Sequence, residues 1–388
     1  MENSTPSKSP DWHFEQGPIR PPSEARSLLL RISRNCPWNR CTFCPVYKGQ
    51  KFSLRSVEDV CADIDAVARH LQVLRRQCQE GGYASQGVWQ LLHDRLPTQE
   101  QAPFRAAAHW LSGGLQSVFL QDADGLITGP ARLTAILHHL RSTFPWPFRI
   151  TAYTRSKTVL RFQVEELVAL RKAGLTRLHI GLESGCDEVL EKVCKGATRD
   201  IHIRAGRRIR QAELELSEYF MPGLGGRALS ERHARDSASA LSAINPDFIR
   251  LRTLAIPEGI PLHDDWRSGR FQLCSSLEIA LELLVFLENL DGFTGKLASD
   301  HALNLFEDLN GTLPDDIPRL VGMLREFIDL PDERRCLYLI GRRGGVLRGL
   351  QDLQDSGRES AAAALCEELG ATVDNVEEIC RLLLQRFI

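Results

Sequence analysis

Apolar and polar positions alternate along much of the middle of the chain, and the period changes as the chain proceeds. Residues 28–32 form a short apolar run that reads as a strand. Residues 56–80 open on Ser56 and place Val57, Val60, Ile64, Val67, Leu71 and Leu74 on one helical stripe. Further strands are predicted at 117–121, 148–155, 177–183, 214–221 and 247–254, each followed by a helical pattern. Their starts lie roughly 30 to 37 residues apart, the size of one strand-and-helix unit. Six such units imply a parallel sheet with right-handed crossovers. A partial (β/α)6 barrel, a full eight-stranded barrel and a doubly wound sheet all satisfy this pattern. In each of them ligands gather at the carboxyl ends of the strands.

Side chains alternate across a strand, so each strand also declares its two faces. In 177–183, His179, Gly181 and Glu183 share one face, and Leu178, Ile180 and Leu182 share the other. The same division sets Arg149, Thr151, Tyr153 and Arg155 against Ile150 and Ala152, Glu215, Ser217 and Tyr219 against Leu216 and Phe220, and Arg250 and Arg252 against Ile249 and Leu251. Helices cover the outer face of a parallel barrel, so the polar set is predicted to face the lumen, as a ligand cavity or as a self-neutralising network.

Outside this middle region the pattern weakens. Residues 1–26 are rich in Ser and Pro and read as a flexible or surface-hugging tail, with Trp12 and Phe14 as its anchors. Residues 81–115 read as an insertion with a short helix at 104–110, and the core runs from 27 to 265. Beyond it, 266–388 reads as a helical cap domain with helices at 275–290, 320–328, 360–369 and 374–387. Composition changes this picture little. The chain has 388 residues, a formal net charge of -2 and a pI near 6.6, which argues against a general nucleic-acid or membrane-surface binder. Its 11 cysteines are scattered except for one group, and no apolar run is long enough to span a membrane, so a reducing cytoplasm is expected.

The exceptional group is Cys36, Cys41 and Cys44, a C-x4-C-x2-C array in RISRNCPWNRCTFCPVYK directly after the first strand. Thiolates select zinc or iron–sulfur clusters over hard cations. A closed zinc site needs four protein ligands, and no second C-x2-C is present. Three local thiols without a fourth suit a [4Fe-4S] cluster with one open iron; zinc remains the other candidate.

This loop resembles that of the radical S-adenosylmethionine (SAM) enzymes, whose usual spacing is C-x3-C-x2-C with an aromatic before the last cysteine. Phe43 holds that aromatic place, where the family packs a ring on the adenine, and the first gap is one residue longer. The resemblance spans roughly residues 27–265 and implies a partial (β/α)6 barrel. VFLQDADGL stands where the family carries a Gly-Gly-Glu segment for the methionine ammonium, which makes Asp122 or Asp124 the acceptor. HIGLESG followed by DEVLEKVCKG resembles the oxygen-independent coproporphyrinogen oxidase-like branch, and implies Glu183 and Ser184 beside SAM. MPGLGGRALSE supplies Gly223 and Gly225 for close backbone approach, and FIRLRTL supplies Arg250 and Arg252 for a carboxylate of SAM or substrate. In LASDHALNLFEDLNG, Asp300 and His301 are candidates for catalysis at the open side of the barrel, with a helix cap as the simpler reading.

The implied activity is reductive cleavage of SAM at an oxygen-sensitive cluster. It yields a 5′-deoxyadenosyl radical that takes hydrogen from a soluble, anionic substrate. It needs a one-electron donor such as flavodoxin or ferredoxin, and no nucleic acid or membrane. The other function this scaffold suits is a haem or Fe–S carrier with little turnover.

Overall fold

A computed structural model describes residues 12–81 and 86–384, so residues 1–11 of the expected tail, 82–85 of the insertion and the end of the helix expected at 374–387 lie outside the described residues. The six predicted strands form β1 (Leu28–Arg31), β2 (Ser117–Gln121), β3 (Arg149–Thr154), β4 (Arg177–Glu183), β5 (Glu215–Phe220) and β6 (Phe248–Leu251). Two short strands follow, β7 (Lys296–Ala298) and β8 (Gly311–Thr312), and the main sheet keeps the order of the chain. β7 runs parallel to β6, and β8 turns antiparallel to β7. The fold is therefore α/β, as expected, with a sheet two strands wider than six units supply. Strands of two or three residues are too short to show alternation, which is why sequence periodicity passes over them.

The chain divides into two compact units that interleave along the sequence. Of the described residues, the first comprises 12–37, 49–81, 86–180 and 208–215. In it β1, β2, β3 and most of β4 pair in parallel. Their outer face carries Leu28, Leu30, Val118, Leu120, Ile150 and Ala152, and α1 (Val57–Gly81) carries Val60, Ile64, Val67, Leu71 and Leu74; all are buried. Each such side chain contributes about 1.5–3 kcal/mol by leaving water. The insertion forms a longer helix than expected, α2 (Thr98–Ser112), whose Trp110 is fully buried against Phe144 and Phe148.

On the inner face of this unit Phe119, Tyr153 and His179 meet edge to face. His179 lies 3.7 Å from Glu24, and both are fully buried. Burial would raise the Glu24 pKa, but the adjacent His179 and a hydrogen bond from Ser27 at 2.6 Å hold it below the usual carboxylate range. In this half of the lumen the polar residues answer one another. Of the tail, residues 12–26 are packed, in contrast to the flexible segment expected. Phe14 is buried, the Trp12 indole donates to Asp63 Oδ1 at 2.9 Å, and Glu15 accepts from Arg34 at 2.8 Å.

The second unit comprises 38–48, 181–207 and 216–388. The residues beyond 265 do not form a separate cap, because they supply β7 and β8 and pack on the strands before them. Phe220 at the end of β5 stacks on Phe286 of α4 (Ser276–Glu288) at 4.3 Å, and α3 (Gly226–Ile244) covers the same region. Farther on, Phe306, Phe327 and Tyr338 make a second aromatic cluster with α5 (Asp332–Arg343).

Candidate active site

In the first unit the end of β1 and the turn after β2 converge on one carboxylate. Asp122 is fully buried, and its Oδ2 accepts from Arg31 Nε at 2.9 Å and from the backbone N–H of Asn35 at 2.9 Å. Asn35 has φ 68° and immediately precedes Cys36. Asp122 therefore holds the entry to the cysteine loop. Its Oδ1 has no hydrogen-bond partner, and a Cβ on Gly17 would stand 1.7 Å from it, so only glycine fits there. Asp124, also buried, accepts from Thr154 at 2.9 Å and Thr158 at 2.6 Å, and burial pushes its pKa up to about 6. Of the two aspartates, Asp124 braces the loops after β2 and β3, and Asp122 alone keeps an uncommitted oxygen.

In the second unit the loop is fixed by its backbone. Thr42 donates to Val193 O at 3.0 Å and its carbonyl accepts from Leu262 at 3.1 Å, while Lys48 Nζ donates to Cys41 O at 2.8 Å. Trp38 Nε1 donates to Cys194 O at 2.8 Å. Phe43 is buried in an apolar cluster with Val189, Val193, Leu224 and Ile260, and half-buried Cys41 and Cys44 pack against it.

Glu183 ends β4 with φ 62° and pairs with Lys195 at 3.0 Å. Lys195 Nζ also lies 6.0 Å from the Phe43 ring centre. A Cβ on Gly181 would come within 2.0 Å of Glu183 Oε1, so that glycine makes room for the pair. On β5, Glu218 is fully buried and neither oxygen has a hydrogen-bond partner. Burial holds its pKa well above the usual range, with Lys195 opposing and Glu183 adding to the rise. Burial thus favours its protonated form, which can donate as well as accept. Lys195 and Glu218 escape the sequence reading. Glu218 shares the face of Leu216 and Phe220, and a carboxylate among apolar neighbours was the available signal.

Ser184 lies beneath this surface, not on it. Fully buried, it bonds His233 Nδ1 at 2.7 Å and caps the N–H of Cys186 at 3.0 Å. Burial lowers the His233 pKa to about 4, so the ring is neutral, and Nε2–H donates to Met221 O at 3.0 Å. The glycine turn after β5 is anchored in the same region. Gly223, at φ 84°, donates its N–H to Glu282 Oε1 at 2.7 Å, and Ser230 donates to the other oxygen. Gly225 has an ordinary φ of -73° and is required by crowding instead, with His233 and Leu229 within 3.2 Å of an added Cβ.

Burial pushes the Glu282 pKa up from 4.5 to about 7. The folded state therefore binds a proton that the unfolded chain has released, and stability falls as pH rises from 4.5 through 7. The loss across that window is about 3 kcal/mol. Urea denaturation between pH 4.5 and 8 is expected to show this slope, and Glu282→Gln to flatten it; an unchanged slope in the variant would exclude Glu282 as its source.

At the end of β6, Arg250 is largely buried, donates to Ser217 at 3.0 Å and forms an ion pair with Asp300. Arg252 lies over the Tyr219 ring at 4.7 Å. Burial, aided by Arg252, lowers the His301 pKa to about 4. His301 is accordingly neutral at pH 7 and offers a hydrogen bond, not an imidazolium proton. Asn304 ties this segment down by accepting from the N–H and Oγ of Thr253 and donating to Leu251 O, each at 3.0 Å.

Residues 96–236 match the family described as Radical SAM superfamily. Over that segment, somewhat more than a third of the chain, the sequence is similar to the radical SAM superfamily, whose cofactors are a [4Fe-4S] cluster and SAM. A CDK5RAP1-like protein from Caenorhabditis elegans is 25% identical over 236 residues, 60% of this chain and 40% of that protein. A tRNA uridine(34) acetyltransferase from Methanocaldococcus infernus is 23% identical over 127 residues, 32% of this chain and 24% of that protein. The chain thus spans well under half the length of these curated relatives. Among solved structures, the Escherichia coli coproporphyrinogen III oxidase aligns with TM-score 0.41 and 15% identity over 64% of this chain and 50% of that one. The Methanocaldococcus infernus Elp3 aligns with TM-score 0.40 and 18% identity over 52% and 53%.

The donor set suits the cluster. The loop offers three thiols and no fourth, and among the described residues no three Cys, His, Asp or Glu are gathered as a single ion requires. The cluster's open iron matches the missing fourth ligand.

Proposed function

We propose that this chain is a radical SAM enzyme acting on a soluble acidic molecule, with Cys36, Cys41 and Cys44 as cluster ligands. The observation that carries the reading is the Glu183–Lys195 pair beside buried Glu218, in the same unit as Phe43, Cys41 and Cys44. A zwitterionic cofactor needs both signs of charge, which Glu183 and Lys195 supply. Bound together, cluster and SAM supply a 5′-deoxyadenosyl radical. The protein binds, orients and excludes water: Asp122 positions the start of the loop, Phe43 shields one side, and Glu282 fixes the turn at Gly223. A cytoplasmic setting and a flavodoxin- or ferredoxin-type electron donor complete the proposal. Among the described residues no helix is long and apolar enough to cross a membrane.

Lys195→Ala is expected to weaken SAM binding at least tenfold, read by calorimetry on the reconstituted protein, with the cluster spectrum retained. Unchanged affinity would remove Lys195 from the site. The name of one relative, the tRNA uridine(34) acetyltransferase, points to tRNA, so transfer RNA belongs among the additives screened for faster deoxyadenosine formation. Acceleration by tRNA and by no small acid would replace the substrate class proposed.

A further inference from the structure

The second unit contains a cavity of about 450 Å³ that none of the residues discussed as cofactor ligands explains, apart from the turn at Gly223. That volume suits a small organic ligand, for which sites run to about 300–1,000 Å³. Its walls are chiefly apolar: Leu254, Ile256, Trp266, Phe271 and Ile279. Leu254, Ile256 and Phe271 also pack against the apolar cluster that holds Phe43, so the cavity adjoins the cysteine loop.

Its charges are unbalanced. Three guanidinium groups, Arg227, Arg343 and Arg381, line it against one carboxylate, Glu377. Both oxygens of Glu377 are already engaged, by the N–H of Ser276 at 2.7 Å and its hydroxyl at 3.0 Å. Arg227 is answered by Glu278 at 2.8 Å, outside the cavity lining. Arg381 lies over Trp266 at 4.8 Å, with Glu378 no nearer than 3.9 Å. Arg343 donates one Nη to Leu303 O at 2.6 Å, and its Nε is shielded from solvent without a hydrogen-bond partner. A buried donor left unpaired is costly, and a guanidinium is built to take an oxyanion through two parallel donors.

We propose that this cavity binds an organic acid with a flat apolar body, its carboxylate or phosphate held by Arg343 and Arg381 and its body between Trp266, Phe271 and Ile279. That the ligand is the substrate of the radical reaction rests on the function proposed above; the binding itself does not. The second cavity of this unit, at about 420 Å³, shares Arg227 and Phe271 with the first and gives the ligand a continuous edge toward Leu224 and Val193.

Calorimetry on the full-length protein tests the binding with three probes of one shape: 2-naphthoate, 2-naphthyl phosphate and neutral 2-naphthol. At least one acid is expected to bind ten times more tightly than naphthol, and the better acid assigns the head group. Arg381→Gln, at the half-exposed rim, is expected to remove most of that preference while naphthol binding stays within twofold. Arg343→Gln is expected to do the same, and Ile279→Trp to weaken all three by filling the space. Equal affinity for naphthol and the acids, a preference that survives both arginine substitutions, or no binding of any probe would overturn the proposal. None of these results touches deoxyadenosine formation, so a failure here is distinguishable from a failure of the radical SAM reading.

Discussion

Replacing Cys36, Cys41 and Cys44 together by alanine is expected to abolish both the broad visible absorbance of the reconstituted protein and all reductive cleavage of SAM. The wild type, reconstituted with iron and sulfide and given dithionite and SAM under nitrogen, should form 5′-deoxyadenosine; the variant should form none above the protein-free background. The loss is expected without unfolding. Cys36, Cys41 and Cys44 are only half-buried, and the loop is held by backbone bonds from Thr42 to Val193 and from Leu262 to Thr42. Far-ultraviolet dichroism should therefore be unchanged. A cluster that survives the triple substitution would move the metal site elsewhere. Stoichiometric zinc in the anaerobically purified wild type, with no cluster formed, would defeat the functional reading itself.

The second large effect concerns stability. Asp63 on α1 is fully buried, accepts from Trp12 at 2.9 Å and pairs with Arg55, whose side chain is 1% exposed. Asp63→Ala strands that guanidinium, with Glu15 at 3.5 Å and the carbonyl of Arg31 at 2.9 Å as its remaining partners. The expected cost is about 3 kcal/mol, near the lower end for breaking a buried pair because those partners persist. Guanidinium denaturation measures it. Trypsin should cut the variant after Arg26 faster than the wild type, since Trp12 loses the shorter of its two hydrogen bonds and keeps only Asp59 O at 3.2 Å. Equal stability and equal cleavage would show that Arg55 is satisfied without Asp63.

The strands were legible because alternation is a strong signal when each face has one destination. Six were located to within three residues at either end. The cysteine loop was legible through spacing and residue type, which need no tertiary context. The roles of individual strand-end residues were not. Asp122, Asp124, Ser184 and Arg250 carry the expected chemistry in the sequence, yet each is engaged by protein partners that lie far away along the chain: Arg31, Thr154, His233 and Asp300. Lys195 and Glu218 were passed over for the converse reason, since each looks ordinary until burial and proximity to Glu183 single it out. Residue type proposes a donor or an acceptor, and only packing decides whether it faces a ligand or the protein.

The interleaving of the two units sets a timetable for synthesis. Cys41 and Cys44 belong to a segment whose packing partners include Val193 and Leu262, so the thiols leave the ribosome long before anything can bury their loop. At about 5–20 residues per second the interval to Leu262 is on the order of 10–40 s. During it the nascent chain carries bare, adjacent cysteines, and oxidation would join them before iron arrives. Recombinant production is therefore expected to depend on oxygen tension during translation as much as during purification, and slower elongation in aerated cultures should lower the fraction of chains competent for cluster assembly.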